Sequence, residues 1–412
     1  MLLPQRIQAR LRRGLAVAGA VLTSVGLLVG VFATTLATPA AAQTAAASQT
    51  EATTKARQAI LMDADSGAIL FQHKADELMA PASMSKLMTL AMIFKALKTG
   101  QIKPDDEFLV SANAWRKGGA PSGTSAMLLP VNTREKLDQL LQGIIVQSGN
   151  DACIVVAEGM AGSEEAFARL MTEEARKLGM KKSVFKNSTG LYDPEHLMTA
   201  RELAIVARHL IKEYPEYYPR FSQREFQYRK HKPFPNRNPL IGSGLGVDGM
   251  KTGFIKEAGY GIVASAMQGN RRLILVINGM ERQEDRKSEA LRLLDWGFKS
   301  FVEFKLFDAG EIVGQARVWG GSRMWLPLTG NGDLSVMLPR FPANQKLKAE
   351  IVYQGPLKAP IRKGDPVAML RVTSSSQAVN EVPLYASEDV AAAGVMRRGL
   401  DTLIHMAFRW AL

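Results

Sequence analysis

The stretch Met79-Ala80-Pro81-Ala82-Ser83-Met84-Ser85-Lys86, followed by the largely apolar segment 87–97, predicts a buried helix that begins beside a serine. The proline and the small residues before the serine mark a helix start. Apolar residues then recur at steps of three and four, the spacing of a buried helical face, until Gly100 caps the helix. Ser83 is therefore expected in the first turn, with Lys86 three residues later on the same face.

This serine and lysine predict nucleophilic catalysis. A serine hydroxyl is a poor nucleophile until a base takes its proton, and a lysine amine can act as that base only while it is neutral. Burial, a second nearby cation and the positive end of the helix would each lower the pKa of Lys86. We expect Ser83 to be the nucleophile and Lys86 its general base. The same spacing at Ser183 and Lys186 lies among further lysines and is interpreted as a solvated helix exit.

A second motif, Ser148-Gly149-Asn150, follows an apolar run and precedes Asp151. A turn containing glycine could direct a hydroxyl and an amide into a cleft. Ser148 would then relay a proton between Lys86 and a leaving group, and Asn150 would donate a hydrogen bond to a substrate carbonyl. The alternative is an ordinary turn between helices with Asn150 or Asp151 as the N-cap, which is also our interpretation of Ser111-Ala112-Asn113.

A third motif, Lys251-Thr252-Gly253, is predicted to open a strand. A cation, a hydroxyl and a residue without a side chain at a strand edge suit an extended peptide that ends in a carboxylate. Lys251 and Thr252 would hold the carboxylate, and Gly253 would let the peptide approach. By contrast, Lys98-Thr99-Gly100 is interpreted as the end of the first helix, where lysine and glycine are common.

Periodicity predicts a mixed α/β first domain over residues 56–299, with strands at both ends and helices between. Helices are expected at 134–146, 164–178, 200–211 and 287–298, and adjacent strands at 260–266 and 272–278. Residues 300–388 contain short strands broken by glycine and proline, which predicts a small β-sandwich-like domain. Residues 389–412 have charges on one helical face and apolar residues on the rest, which favours an amphipathic helix in a membrane interface over a helix packed on the β domain.

The beginning of the chain carries the pattern of an export signal. Arginines precede an almost uncharged stretch over residues 14–36, and the small residues Ala40 and Ala42 fit a cleavage site after Ala42. Residues 1–42 are therefore predicted to be a signal peptide and residues 43–55 a linker. The competing interpretation is an uncleaved N-terminal anchor. Both place the functional part outside the cytoplasm.

Composition restricts the remaining possibilities. The net charge of +13 suits an anionic envelope, whereas the chain lacks the dense basic block or interleaved aromatics of nucleic-acid binders. Cys153 is the only cysteine, so no internal disulfide forms, and its apolar surroundings predict a small buried residue. The five histidines are scattered without metal-ligand spacing, so neither a metal nor another cofactor is expected.

Taken together, the motifs around Ser83, Ser148 and Lys251 resemble those of the low-molecular-mass penicillin-binding proteins, the D-alanyl-D-alanine carboxypeptidases of the S11 type. The resemblance covers the signal peptide, catalytic domain, β domain and C-terminal helix. It implies a serine β-lactamase/transpeptidase-like catalytic fold. It also implies a periplasmic position on the inner membrane, a peptidoglycan pentapeptide as substrate and β-lactams as covalent inhibitors.

The resemblance further implies that Ser83 attacks the carbonyl of D-Ala–D-Ala and that water releases the acyl-enzyme. The backbone N–H groups of Ser83 and Phe254 would form the oxyanion hole. Phe254 is a departure, because family members often have a polar residue, commonly histidine, at this position. The alternatives are an endopeptidase acting on cross-links, an inactive peptidoglycan-binding protein, and a β-lactamase, for which no Glu-x-x-Leu-Asn element follows the second motif.

Overall fold

The computed structural model describes residues 52–340, 347–374 and 379–394. The predicted signal peptide and residues 395–412 of the predicted C-terminal helix lie outside these ranges. The described chain forms two compact units. One unit contains Ala52–Asp65 and Phe71–Lys299, and the other contains Ser66–Leu70 and the described residues from Ser300 to Gly394.

The chain as far as Ser300 combines strands and helices. Its strands are β1 (Gln58–Asp63), β2 (Ile69–His73), β3 (Glu107–Leu109), β4 (Arg134–Lys136), β5 (Glu225–Phe226), β6 (Phe234–Pro235), β7 (Val247–Ile255), β8 (Gly259–Gln268) and β9 (Arg271–Met280). Its α-helices are α1 (Lys86–Lys98), α2 (Ala112–Gly118), α3 (Leu137–Gln142), α4 (Asn150–Ala161), α5 (Glu164–Lys177), α6 (Ala200–Glu213) and α7 (Gln283–Ser300). The mixed α/β class predicted for this part of the chain is confirmed.

An antiparallel sheet in the order β1-β9-β8-β7 supports the first unit. Its middle strands are buried along most of their length, which explains their near-continuous apolar sequences. All but three residues of helix α1 are buried. Leu87, Leu90 and Phe94 of the predicted apolar face are among the buried residues. Strand β7 lies at the end of this order, so one of its edges is available to other groups.

The segment 134–146 differs from the single predicted helix. It begins with strand β4, which pairs with β3, continues as helix α3 and ends in a wider π-helical turn at Gly143–Gln147. The pairing of β4 with a distant strand is a tertiary effect that local periodicity does not contain. The π turn leads directly to Ser148, and such turns are frequent at functional sites.

The second part of the chain is a β domain. Its strands are β10 (Phe301–Phe307), β11 (Ile312–Trp319), β12 (Trp325–Thr329), β13 (Leu334–Pro339), β14 (Leu347–Val352), β15 (Leu357–Lys358), β16 (Pro366–Ser374) and β17 (Val379–Ala386). Alternating residues of these strands form one apolar core that includes Val313, Leu326, Val336 and Val372. The predicted small all-β domain is confirmed.

The prediction that the C-terminal helix begins at residue 389 is wrong. Residues 389–394 are not helical: Val390 is buried and forms an isolated bridge with Ile361, and Ala392 bridges Gly321. The apolar side chain of Val390 therefore belongs to the β-domain core. No helix among the described residues is both long and apolar enough to cross a membrane.

The buried amide of Asn380 predicts a measurable contribution to the stability of the β domain. Its Oδ1 accepts a hydrogen bond from the Met337 N–H at 2.7 Å, and its Nδ2 donates to the Met337 carbonyl at 2.9 Å. Asn380→Ala leaves both backbone groups buried without a partner, so we expect a loss of about 2 kcal/mol or more in the free energy of unfolding. Chemical denaturation measures this loss. The exposed Asn331→Ala is the control, and an equal effect in both variants would contradict this account.

Candidate active site

The candidate nucleophile lies in a tight turn rather than in the first turn of α1. Residues Ala82–Ser85 form a 3₁₀ turn, and α1 begins at Lys86. Within residues 81–90, all of which the structure describes, Ser83 alone is not buried. The turn therefore presents one hydroxyl at the surface of an otherwise buried segment. As the N–H of Ser83 lies in the first turn, it has no partner within the turn and is available to a ligand.

Two glycines allow this turn to pack closely. A Cβ on Gly190 would lie 2.0 Å from the Ala82 carbonyl oxygen, and a Cβ on Gly253 would lie 2.9 Å from the Pro81 carbonyl oxygen. Both distances are too short for any side chain. Gly253 was predicted to admit a substrate chain, but the structure shows that the neighbour at its Cβ position is the protein's own serine-bearing turn. The third motif thus fixes the position of the first.

The amine of Lys86 is fully buried and has three close contacts. Its Nζ lies 2.9 Å from Ser83 Oγ, 2.6 Å from Asn150 Oδ1 and 2.5 Å from the Thr189 carbonyl oxygen. The amide oxygen and the carbonyl oxygen can only accept hydrogen bonds. A neutral amine has two protons, one for each of these acceptors, and its lone pair then faces the serine hydroxyl. This geometry suits a general base.

Electrostatics also favour the neutral amine. Burial lowers the pKa of Lys86 to about 8, and the positive charge of Arg237 acts in the same direction. The negative charges of Glu164 and Asp151 act in the opposite direction, but their effect is smaller than that of burial. Lys86 makes no ion pair with any described residue. A lysine with this pKa is neutral for part of the time near neutral pH.

The second motif places Asn150 beside Lys86. Ser148 has a left-handed backbone conformation with φ of 64°, and Asn150 is the first residue of α4. Asn150 accepts from Lys86 through Oδ1 and donates to Thr124 Oγ1 at 2.9 Å. Ser148 lines the same cleft as Ser83, but its hydroxyl makes no hydrogen bond with a described residue. The structure thus joins Asn150 to the lysine directly and places Ser148 in the lining of the cleft that Ser83 also lines.

Asp151 is not the N-cap of α4, which is the role that the alternative interpretation offered for it; the N-cap is Gly149. Asp151 is buried, and its carboxylate accepts backbone N–H groups from Met127 at 2.8 Å, Leu129 at 3.1 Å and Ala152 at 2.9 Å. Burial raises the pKa of this carboxyl, while the backbone hydrogen bonds lower it. Because two of the donors belong to the loop that follows Thr124, Asp151 fixes this loop against Asn150.

The loop that carries Thr189 was not predicted as part of the site. Asn187 Oδ1 accepts the Thr189 and Gly190 backbone N–H groups, and the carboxylate of Glu164 accepts both the N–H and the hydroxyl of Ser188. These bonds fix the Thr189 carbonyl towards Lys86. The sequence Asn187-Ser188-Thr189-Gly190 is rich in turn-forming residues, and this was the available signal.

The third motif lies within β7, which begins at Val247, rather than at the start of a strand. Lys251 is fully buried, and its Nζ has one long contact, 3.5 Å to the Thr252 carbonyl oxygen. Burial and the charge of Lys86 hold the pKa of Lys251 well below its ordinary value. A buried amine without a carboxylate partner among the described residues suits an anionic ligand.

The three motifs meet at one cleft of about 700 Å³. Ser83, Ser148, Thr252, Gly253 and Phe254 line it. Two arginines that were not predicted, Arg237 and Arg286, also line it, and no aspartate or glutamate does so among the described residues. Burial lowers the pKa of both arginines, and Arg286 Nε is buried without a hydrogen-bond partner. The cleft is therefore cationic.

The second copies of the motifs are structural. Ser183 is buried and donates a hydrogen bond to the Glu202 carboxylate, so its interpretation as a solvated residue is wrong. Lys186 is exposed and forms an ion pair with Glu195 rather than a contact with Ser183. Ser111 caps α2 by accepting the Ala114 N–H. Lys98 is the last residue of α1, with Gly100 at φ of 72° after it.

Cys153 is buried, as predicted, and burial raises its thiol pKa to about 12. A thiol with so high a pKa is protonated near neutral pH and is a poor nucleophile. No group of three metal-ligating side chains occurs in the part of the chain that the structure describes.

Comparisons with known proteins agree with this arrangement. Residues 43–282 match the D-alanyl-D-alanine carboxypeptidase family, Peptidase S11, and residues 301–392 match the penicillin-binding protein 5 C-terminal domain. The D-alanyl-D-alanine carboxypeptidase DacC of Escherichia coli K12 is 38% identical over 358 residues, which cover 86% of this chain and 89% of the relative.

Solved structures lead to the same family. Penicillin-binding protein 5 from Haemophilus influenzae matches with a TM-score of 0.70 at 33% identity, covering 83% of this chain and 99% of that one. Penicillin-binding protein D2 from Listeria monocytogenes, solved in its ampicillin-bound form, matches with a TM-score of 0.52 at 27% identity, covering 60% of this chain and 99% of that one. This chain therefore belongs to the D-alanyl-D-alanine carboxypeptidase family.

Proposed function

We propose that this protein is a serine D-alanyl-D-alanine carboxypeptidase that removes the terminal D-alanine from peptidoglycan stem pentapeptides. The observation that carries the proposal is the contact of the buried Lys86 amine with Ser83 Oγ, while both of its other partners are pure acceptors. That arrangement supplies a base for one half-buried hydroxyl that lines a cationic cleft. Family membership supplies the substrate class.

In the acylation step, Ser83 Oγ attacks the carbonyl carbon of the penultimate D-alanine and passes its proton to Lys86. The negative charge on the carbonyl oxygen would be stabilised by the backbone N–H groups of Ser83 and Phe254. The C–N bond then breaks, and the nitrogen of the terminal D-alanine takes up a proton. Ser148, close to the nucleophile in the cleft, is the proposed relay for that proton from Lys86.

In the second step, water attacks the ester carbonyl, gives a proton to Lys86 and releases the shortened peptide while Ser83 regains its hydrogen. The described lining of the cleft contains no carboxylate that could activate this water. Lys86 is therefore the proposed base for both steps, with Asn150 orienting its amine. Asn150 Nδ2 is engaged by Thr124, so a bond from this amide to the substrate carbonyl would replace an existing contact.

The free carboxylate of the substrate would bind at the cationic side of the cleft. Thr252 supplies a hydroxyl and Arg286 a guanidinium in the cleft lining, and the buried Lys251 amine, whose one contact is 3.5 Å long, would add a positive charge once it is protonated. A carboxylate placed there would compensate charges that are otherwise buried alone. The edge of β7 would pair with the extended peptide and fix its register.

β-Lactams are the proposed covalent inhibitors, since an acyl-serine mechanism accepts a strained amide in place of the peptide. The ampicillin-bound relative supports this proposal. We further propose that the protein is exported and acts on the periplasmic face of the inner membrane, held at the membrane surface by residues 395–412. Support comes from the export pattern at residues 1–42 and the amphipathic pattern near the C-terminus.

Ser83→Ala should abolish covalent labelling by fluorescent penicillin, because no other hydroxyl of the cleft contacts the lysine amine. Labelling is read after denaturing electrophoresis. Ser183→Ala removes the serine of the second Ser-x-x-Lys copy and should retain labelling, with folding checked by circular dichroism. Labelling that survives Ser83→Ala would exclude Ser83 as the nucleophile.

Acylation should depend on pH through Lys86. Since burial lowers its pKa to about 8, the amine is protonated and inactive below that pH, and the second-order acylation rate should rise to a plateau with a midpoint near pH 8. Stopped-flow measurements with a chromogenic β-lactam give this profile. Lys86→Met should lose acylation by at least two orders of magnitude, and Lys186→Met should keep the wild-type profile. A flat profile would contradict the role of Lys86 as base.

Truncation after Gly394 should release the protein from membranes, because the deletion removes the proposed interfacial helix but keeps Val390 in the β-domain core. Sedimentation of membranes at low and high salt measures the bound fraction. A variant with neutral substitutions at Arg397, Arg398 and Arg409 should bind anionic vesicles more weakly. If the truncated protein still sediments with membranes, an uncleaved N-terminal anchor would explain the attachment instead.

A further inference from the structure

An apolar surface beside the nucleophile has no role in the mechanism above. The side chain of Phe254 is 50% exposed, although it lines the catalytic cleft. Its ring stacks on Tyr260 with centroids 4.2 Å apart and planes inclined by 26°. Single exposed apolar residues are common on proteins. Here, however, two stacked rings lie in the same cleft as Ser83, and we call them the aromatic shelf.

The surroundings of the aromatic shelf hold it in place. Phe254 and Tyr260 are paired residues of the antiparallel strands β7 and β8. The guanidinium of Arg286 lies 5.6 Å from the centre of the Tyr260 ring, within the range of a cation–π interaction. Arg286 itself is buried and belongs to α7. A ring fixed by a strand, a stacked partner and a helix loses little conformational entropy when it binds a ligand.

Strand geometry determines which part of a substrate meets the shelf. Side chains alternate along β7, so Thr252 and Phe254 point to one side while Gly253 faces the turn that carries Ser83. Thr252 is the proposed partner of the terminal carboxylate, and the Phe254 N–H is a proposed donor to the reacting carbonyl. The residue between that carbonyl and that carboxylate is the leaving residue. We therefore expect its side chain to lie beside the shelf.

We propose that the aromatic shelf binds the side chain of the leaving D-residue and extends the substrate range from D-alanine to larger apolar D-amino acids, such as D-leucine. This inference rests on the proposed carboxypeptidase function. A methyl group covers little of two stacked rings, whereas a branched side chain removes more apolar surface from water. The bond broken is the same amide, and the product is the free D-amino acid with its amine reprotonated as before.

The experiment compares two acyl-tripeptides that differ only in the last residue, D-alanine or D-leucine. Release of each D-amino acid gives kcat/KM, and the ratio of D-leucine to D-alanine is the readout. Phe254→Ala should lower this ratio about fivefold, which corresponds to ~1 kcal/mol. Phe254→Leu, which keeps apolar volume, should lower it less. Tyr260→Ala should lower the ratio, whereas Tyr260→Phe should leave it unchanged, because the ring stack persists without the hydroxyl.

Trp325→Ala is the matched control, since Trp325 is an exposed aromatic residue of the β domain and its loss should not change the ratio. An unchanged ratio in Phe254→Ala, or equal losses for both substrates, would overturn the proposal. So would a wild-type enzyme that releases D-alanine but no D-leucine. Fluorescent penicillin labelling distinguishes a failure of the shelf proposal from a failure of the carboxypeptidase function. A wild-type protein that is not labelled and releases neither amino acid would contradict the carboxypeptidase function itself.

Discussion

The burial of the Lys86 amine is the constraint on which the rest of the site depends. An ammonium group without a carboxylate partner is costly in an apolar interior, and neutralisation of the amine lowers this cost. The neutral group still needs an acceptor for each of its two protons, and Asn150 Oδ1 and the Thr189 carbonyl provide them. Of the three contacts of the amine, only the one with Ser83 Oγ then remains for the nitrogen lone pair. The same contacts that make burial of the amine tolerable thus direct its lone pair towards Ser83, the proposed nucleophile.

Each acceptor is positioned by a buried carboxylate that lies outside the reaction. Asp151 holds the loop against which Asn150 is placed, and Glu164 holds Ser188 next to Thr189. Both carboxylates accept backbone N–H groups instead of pairing with the lysine. Their charges raise the pKa of Lys86, but less than burial lowers it. The lysine therefore stays near the pH range in which a base can work, because negative charge is close but not in contact.

Sequence patterns located the candidate site because the spacing of its motifs is local. The step from Ser83 to Lys86 spans one turn, and the motifs at Ser148 and Lys251 are continuous, so their residue types could be read directly. The mixed α/β class and the following β domain also followed from periodicity and turn residues. Periodicity contains no information on tertiary contacts. The pairing of β3 with β4 therefore makes the beginning of the helix predicted at 134–146 a strand.

The residues that the sequence patterns missed or misinterpreted act through backbone groups, which every residue has, or through partners that are distant in the sequence. Thr189 contributes a backbone carbonyl, which leaves no mark in the side-chain pattern. Gly253 looked like an opening for the substrate, and its actual neighbour, Pro81, is far away in the sequence. Ser183 looked solvated among lysines, yet Glu202 binds it in the interior. Arg286 becomes conspicuous only when its burial without an acceptor is known.

The two buried lysines have opposite requirements, and a carboxylate-ended substrate reconciles them. In the proposed mechanism Lys86 must lose its proton to act as the base, whereas Lys251 must be charged to hold the substrate carboxylate. Without ligand, burial and mutual repulsion lower the pKa of Lys251 well below its ordinary value. A carboxylate that arrives beside Thr252 would favour the charged form of Lys251 and compensate part of its burial cost. A peptide whose last residue has no free carboxylate would leave that cost uncompensated, so the same pair of lysines would reject it.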